Sequence, residues 1–124
     1  MPPATARKDL RPRTYAFARR IVRLYSALPK QTVAQVLGKQ VLRSGTSVGA
    51  NYREACRARS KSEFISKMSE CLRELDETEY WLELMIDEAI VPEDKMTPLL
   101  DETRQLVAIF ITIINQTRRN AGLS

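Results

Sequence analysis

Histidine is absent from the 124 residues. That removes imidazole acid–base chemistry, Ser-His-Asp and Cys-His nucleophile pairs, and His-ligated metals. Glycine is scarce, at 4 residues, which argues against a loop-rich or all-β design. The 2 cysteines, Cys56 and Cys71, form neither a CxxC pair nor a zinc-ligand set. No disulfide framework is expected, and a reducing compartment, the cytoplasm, is the expected setting. No apolar stretch after Met1 has the length of a secretory leader. The longest apolar run, residues 106–114, is under half of the ~20 residues that a membrane span requires. No metal, cofactor or membrane partner is therefore expected.

What remains is a chain with 44% hydrophobic residues, enough for a core, at a length that fits one domain. Its net charge of +5 hides a strong asymmetry. Residues 1–62 hold 14 of the 20 basic residues and 2 of the 15 acidic ones. The first half is strongly positive and the second negative. Such a split points to contact with nucleic acid, or to basic helices lying beside acidic ones within one bundle.

Apolar spacing predicts four helices. In the first, over residues 14–28, Ala18, Ile21, Tyr25 and Leu28 recur at three- and four-residue steps, widened by Phe17, Val22 and Leu24. Pro29 stops it. Residues 1–13 read as a flexible basic tail. The second helix, 32–57, places Leu37, Val41, Ser44, Val48, Asn51 and Ala55 on one face. Its middle, Ser44-Gly45-Thr46-Ser47-Val48-Gly49-Ala50, is almost all small. Such a stretch either breaks a helix or admits a close neighbour. The unbroken heptad phase favours close approach. The third helix opens on Ser60-Lys61-Ser62-Glu63, a capping box. Phe64, Met68, Cys71, Leu75, Thr78, Leu82, Met85 and Ala89 form its inner face. The fourth follows Val91-Pro92, with Pro92 at its first position. It turns Leu99, Thr103, Leu106, Phe110, Ile113 and Thr117 inward. Short connections make neighbours antiparallel, so the expected architecture is an all-α, up-down-up-down four-helix bundle over 14–119, with a short tail at 120–124.

The outer faces carry the chemistry. Arg19 and Arg23 lie opposite the core stripe of the first helix. Arg53 and Arg57 lie on the outer face of the second, followed by Arg59 and Lys61. The same outer face holds Leu42, Thr46, Gly49 and Ala50. The third helix has Glu70, Glu74 and Glu77 along one flank, with Tyr80, Trp81 and Leu84 also outward. Outward aromatics in a cluster mark interfaces; the plainer reading is that Trp81 closes an edge of the bundle. A basic small-residue face meeting an acidic aromatic flank would be a heterologous contact, which closes into a ring. Ser44, Asn51 and Glu79 fall at core positions. A hydrogen-bonded layer joining Asn51 to Glu79, with Arg43 and Ser47 beside it, is expected, since a lone buried carboxylate is costly.

The segment from Leu42 to Asn51 resembles the second-helix signature of the four-helix-bundle proteins encoded by intervening sequences of 23S ribosomal RNA genes. Glu54-Ala55, Arg59-Ser60-Lys61-Ser62-Glu63-Phe64-Ile65 and Asp76-Glu77-Thr78-Glu79-Tyr80-Trp81-Leu82 resemble its further blocks. The chain departs from the commoner pattern at Tyr52-Arg53, where many members carry a small apolar pair. The resemblance implies an antiparallel bundle assembled as a homopentameric ring, and no catalytic residues. A related branch, the accessory variability proteins of diversity-generating retroelements, implies binding of nucleic acid and a reverse transcriptase.

Three functions follow. The first is a non-enzymatic oligomer that binds RNA or DNA through Arg19, Arg23, Arg53, Arg57, Arg59 and Lys61. Its 14 arginines against 6 lysines suit bidentate phosphate contact. With no groove-reading motif or stacking platform evident, binding would run through phosphates with little sequence preference. The second is a protein-interaction scaffold whose basic face is used in subunit contacts. The third is a Mg²⁺ enzyme using Glu70, Glu74, Glu77 and Glu83. It is disfavoured, because Glu74 and Glu83 fall on opposite flanks of one helix.

Overall fold

The computed structural model describes residues 4–122, with side chains from Leu10 onward. These residues form four helices and no strand: α1 (Ala4–Ser26), α2 (Thr32–Cys56), α3 (Lys61–Asp87) and α4 (Glu93–Asn120). Cross-helix contacts fix the directions. A Cβ on Gly45 would sit 2.7 Å from Ile21 Cγ1, and one on Gly49 would sit 3.3 Å from Thr14 Oγ1. As numbers rise on α2 they fall on α1, so the two are antiparallel. Cys71 donates to the Val48 carbonyl, and Lys67 Nζ meets Glu54, which sets α3 antiparallel to α2. Lys61 reaches the Asn120 carbonyl, and Arg104 meets Glu79 and Glu83, which does the same for α4.

The small-residue stretch of α2 is therefore a close approach and not a break. Gly45 is buried because the fully buried Ile21 of α1 fills the space that a side chain would take.

The third and fourth helices bury the faces that their spacing predicts, except at Ala89, which lies exposed beyond the end of α3 with a φ of 55°. Phe64, Met68, Cys71, Leu75, Thr78, Leu82 and Met85 are all buried, as are Leu99, Thr103, Leu106, Phe110, Ile113 and Thr117. Ser60 caps α3 and accepts from the Glu63 N–H at 3.0 Å. The Glu63 carboxylate reaches back one residue further than a capping box requires, to the Arg59 N–H at 2.8 Å. Pro92 is the N-cap of α4 and not its first helical residue, while Pro98 lies inside the helix.

Three further expectations are corrected. First, α1 begins at Ala4 and not at residue 14; of the expected tails, residues 1–3 and 123–124 lie outside the described residues. Pro12 removes one backbone donor, but tertiary contacts hold the segment helical. Leu10 is buried, and Arg13 grips Glu102 of α4 through two hydrogen bonds of 2.8 and 2.7 Å. Second, α2 buries Tyr52 in place of Asn51. Its ring meets Phe110 edge to face, with centroids 5.9 Å apart. α2 packs on both α1 and α3, so its inward stripe is centred between them.

Third, the expected Asn51–Glu79 layer does not form. Glu79 turns to α4 and accepts from Arg104 at 2.8 Å. Of Arg43, Ser44, Ser47, Asn51 and Glu79, only Ser44 is buried. The buried polar pair is Ser44 with Thr78, hydroxyl to hydroxyl at 2.8 Å. Thr78 lies one position before Glu79, and that 100° step is the difference between core and flank.

The Thr78 hydroxyl also lies 2.8 Å from the Glu74 carbonyl. Thr78 is the donor to Ser44 Oγ, and Ser44 in turn donates to the Val41 carbonyl at 3.4 Å. Thr78→Val should cost about 1–3 kcal/mol, because it removes the donor to the buried Ser44 oxygen. Adding Ser44→Ala should then cost little more. A double-mutant cycle by urea unfolding reads that coupling, and strict additivity would show that the two hydroxyls do not depend on each other.

Candidate nucleic-acid interface

Antiparallel packing changes the meaning of the charge split along the chain. It gathers the end of α2, the start of α3 and the end of α4 at one end of the bundle, where Lys61 Nζ lies 3.4 Å from the Asn120 carbonyl. Arg53, Arg57, Arg59 and Lys61 share this end with Arg118 and Arg119 from the last turn of α4. All six are exposed. Two helix carboxyl ends meet here, and their exposed carbonyls favour cations.

Among the described side chains, Glu54 and Glu63 at this end are already engaged. Glu54 takes Lys67 at 3.1 Å, and Glu63 holds the Arg59 backbone N–H. Among the described residues, Arg53, Arg57, Arg118 and Arg119 make no ion pair. The sequence reading missed Arg118 and Arg119, which lie far along the chain. The signal that finds them is the short loops, which force the fourth helix to end beside the third helix's start.

Arg19 and Arg23 are exposed as expected but run down the length of α1, with Arg23 in its last turn at the opposite end. The six candidates thus divide into four at the basic end and two along α1.

Between α1 and α2 lies a groove of about 410 Å³ lined by Thr14, Tyr15, Ala18, Thr46, Gly49, Ala50 and Arg53. Tyr15 is 56% exposed. The Arg53 guanidinium lies over its ring, 5.6 Å from the centroid. An exposed aromatic stacked with a guanidinium is the kind of platform that the sequence reading did not find.

The acidic flank of α3 is paired, though not fully neutralised, within the chain. Arg43 of α2 holds Glu74 at 3.1 Å and also Glu77, which accepts from the Trp81 indole N–H. Lys67 adds Glu70 at 3.7 Å. The glutamates expected to meet a neighbouring subunit therefore have partners already. Trp81 and Leu84 are half-buried, with Trp81 packed against the core, and Tyr80 alone of these three is largely exposed. On the groove side, Leu42, Thr46 and Gly49 are half-buried and Ala50 is exposed.

The hydrogen bond from Arg43 holds the Glu77 carboxyl below its usual range, with a smaller contribution from Trp81. A value lowered by folding stabilises the fold above pH ~4.5 and loses that stabilisation as pH falls through the folded value. Asp76 moves the other way, raised by burial and then by Glu79. Replacing Glu77 with Gln should therefore flatten the decline in melting temperature below about pH 4.5. An unchanged acid limb would mean that the Arg43 clamp does not bear on acid stability.

No three Cys, Asp or Glu side chains among the described residues converge as a cation site. Glu74 and Glu83 lie on opposite sides of α3, one bonded to α2 and the other to α4. Burial pushes the Cys71 thiol up to about 12, so it is not a nucleophile at neutral pH. No described helix is long and apolar enough to cross a membrane.

Residues 9–112 match the sequence profile described as 23S rRNA-intervening sequence protein. The chain belongs to that family. A crystal structure from Bacteroides thetaiotaomicron VPI-5482, described as a protein with unknown function from the S23 ribosomal protein family, is 38% identical. The similarity covers 89% of this chain and 98% of that one, with a TM-score of 0.83. No curated protein matches the chain. Within the 23S rRNA-intervening sequence protein family, then, this member is a four-helix bundle with a basic end.

Proposed function

We propose that this intervening-sequence protein is a non-enzymatic nucleic-acid-binding protein that engages phosphates through the basic end of its bundle. The observation that carries the reading is the gathering of Arg53, Arg57, Arg59, Lys61, Arg118 and Arg119 at that end, exposed, with Glu54 held by Lys67 and Glu63 by the Arg59 backbone. Guanidiniums left without carboxylates suit phosphate oxygens. Arg19 and Arg23 extend the positive surface along α1.

The protein acts as a homo-oligomer, a pentameric ring by its resemblance, in the cytoplasm. Repetition of the basic end around the ring adds weak contacts as avidity. A reverse transcriptase is the protein partner that the resemblance to retroelement accessory proteins adds. Fluorescence anisotropy of labelled RNA and DNA with nuclease-treated protein, at about 50 and 200 mM salt, tests the core of the reading. Tight binding that falls steeply with salt supports it; no binding at the lower salt defeats it.

The second reading is a protein-interaction scaffold. Tyr80, 59% exposed beside Trp81 and Leu84, favours a contact with another copy. On this reading the face bearing Leu42, Thr46, Gly49 and Ala50 receives that flank, and loss of solution assembly on Tyr80→Asp would support it.

A further inference from the structure

The groove between α1 and α2 combines three features found together nowhere else among the described residues. Its floor of Ala18, Thr46, Gly49 and Ala50 carries no long side chain. Its wall is Tyr15, an exposed aromatic bearing the Arg53 guanidinium over its ring. Its surroundings are cationic. Arg11 and Arg19 lie one helical turn before and after Tyr15, and Arg57 lies one turn beyond Arg53, so all three share the groove's side of their helices. These arginines are exposed and make no ion pair among the described residues. At about 410 Å³ the groove falls within the size of small-ligand clefts.

We infer that this groove takes an unpaired nucleobase, stacked on Tyr15 and the Arg53 guanidinium, with the flanking phosphates on Arg11, Arg19 and Arg57. The inference rests on the nucleic-acid reading above and adds a preference for single strands and loops. In a duplex the base faces are stacked on one another, so no ring face is free for Tyr15. In a single strand, an aromatic platform beside cations binds any base, because every base has a π face.

The alternative occupant is the acidic flank of a second copy. It fits less well, since Glu70, Glu74 and Glu77 already have partners within their own chain. Cations arrayed about one exposed aromatic match the alternation of phosphate and base along a strand.

The test uses the full chain and three labelled probes of about 12 nucleotides: oligo(dT), an abasic strand of equal charge, and a duplex. Oligo(dT) should bind at least about fivefold tighter than the abasic strand. Tyr15→Leu keeps apolar bulk at an exposed site and should erase that ratio. Tyr15→Phe should preserve it, and duplex binding should change little in either variant. Equal binding of oligo(dT) and abasic strand by the native protein overturns the stacking site while leaving the phosphate-driven reading intact. So does a Leu variant as good as the native protein. Failure of all three probes to bind overturns both readings. Sedimentation of the same variants closes the remaining route. If the native protein is an oligomer and Tyr15→Leu dissociates it, the groove holds a second copy and the inference is wrong.

Discussion

Reversing two charges at once, Arg53→Glu with Arg57→Glu, should weaken binding to RNA or DNA by roughly a hundredfold at about 50 mM salt. Both side chains are exposed and neither makes an ion pair, so the exchange disturbs no contact within the fold apart from the Arg53 stack on Tyr15. The unfolding midpoint should therefore move little, since surface changes of this kind usually fall within about 0.5 kcal/mol. The salt dependence carries the sharper reading. Each lost phosphate contact removes about 0.9 from the slope of log affinity against log salt, so the double variant should lose nearly two. An unaltered slope would place the phosphate contacts elsewhere on the surface. Arg118→Glu with Arg119→Glu should act in the same direction, because α4 brings them to the same end.

Truncating Phe110 to Ala should cost about 3–5 kcal/mol, a large share of the ~5–15 kcal/mol that holds a domain of this kind. Phe110 is fully buried on α4 and meets Tyr52 of α2 edge to face, so its ring joins helices that are not consecutive in the chain. Removing it leaves a cavity and strips the aromatic contact from Tyr52. The expected result in urea is a large fall in midpoint with little change in slope. Phe110→Leu, which keeps most of the volume, should cost markedly less. A loss below about 1 kcal/mol for the Ala variant would mean that the centre of the core closes up around the gap.

The third and fourth helices were legible up to Met85 and along the expected face of α4, because each turns one stripe inward at regular spacing; Ala89 alone fell outside, past the end of α3. The second was harder. Its buried stripe, with Ala34, Gly38, Ser44 and Gly45, is built largely of small residues that apolar spacing does not mark, and Tyr52 takes the place that polarity patterns gave to Asn51. Glu79 was misplaced for a related reason: one residue along a helix is a 100° turn, and Thr78 already held the inward position. The start of α1 was hidden because Pro12 looks like a breaker, while the contacts that override it come from Glu102 and Gln105, far along the chain.

The candidate site shows the same limit. Arg53, Arg57, Arg59 and Lys61 could be read as a cluster because they are neighbours in sequence. Arg118 and Arg119 join them only through topology. The exposed ring of Tyr15 under Arg53 depends on which way two helix faces turn, which spacing alone leaves open.

Charge is also divided along the length of the bundle. The end opposite the arginine cluster is of mixed charge: Arg23 closes α1 there, and a cleft is lined by Glu83, Asp87, Glu93 and Asp101 together with Arg104. With α4 at 28 residues, the two ends lie ~40 Å apart. Near a polyanion, the arginine end is drawn in more strongly than the mixed-charge end, so the molecule experiences a torque. It should arrive arginines first and already oriented, which raises the fraction of encounters that lead to capture. At physiological salt, screening confines that guidance to roughly the last 8 Å of approach. Association rate should thus fall with ionic strength faster than simple net charge predicts, and a slow step of rotational search should emerge as the salt rises.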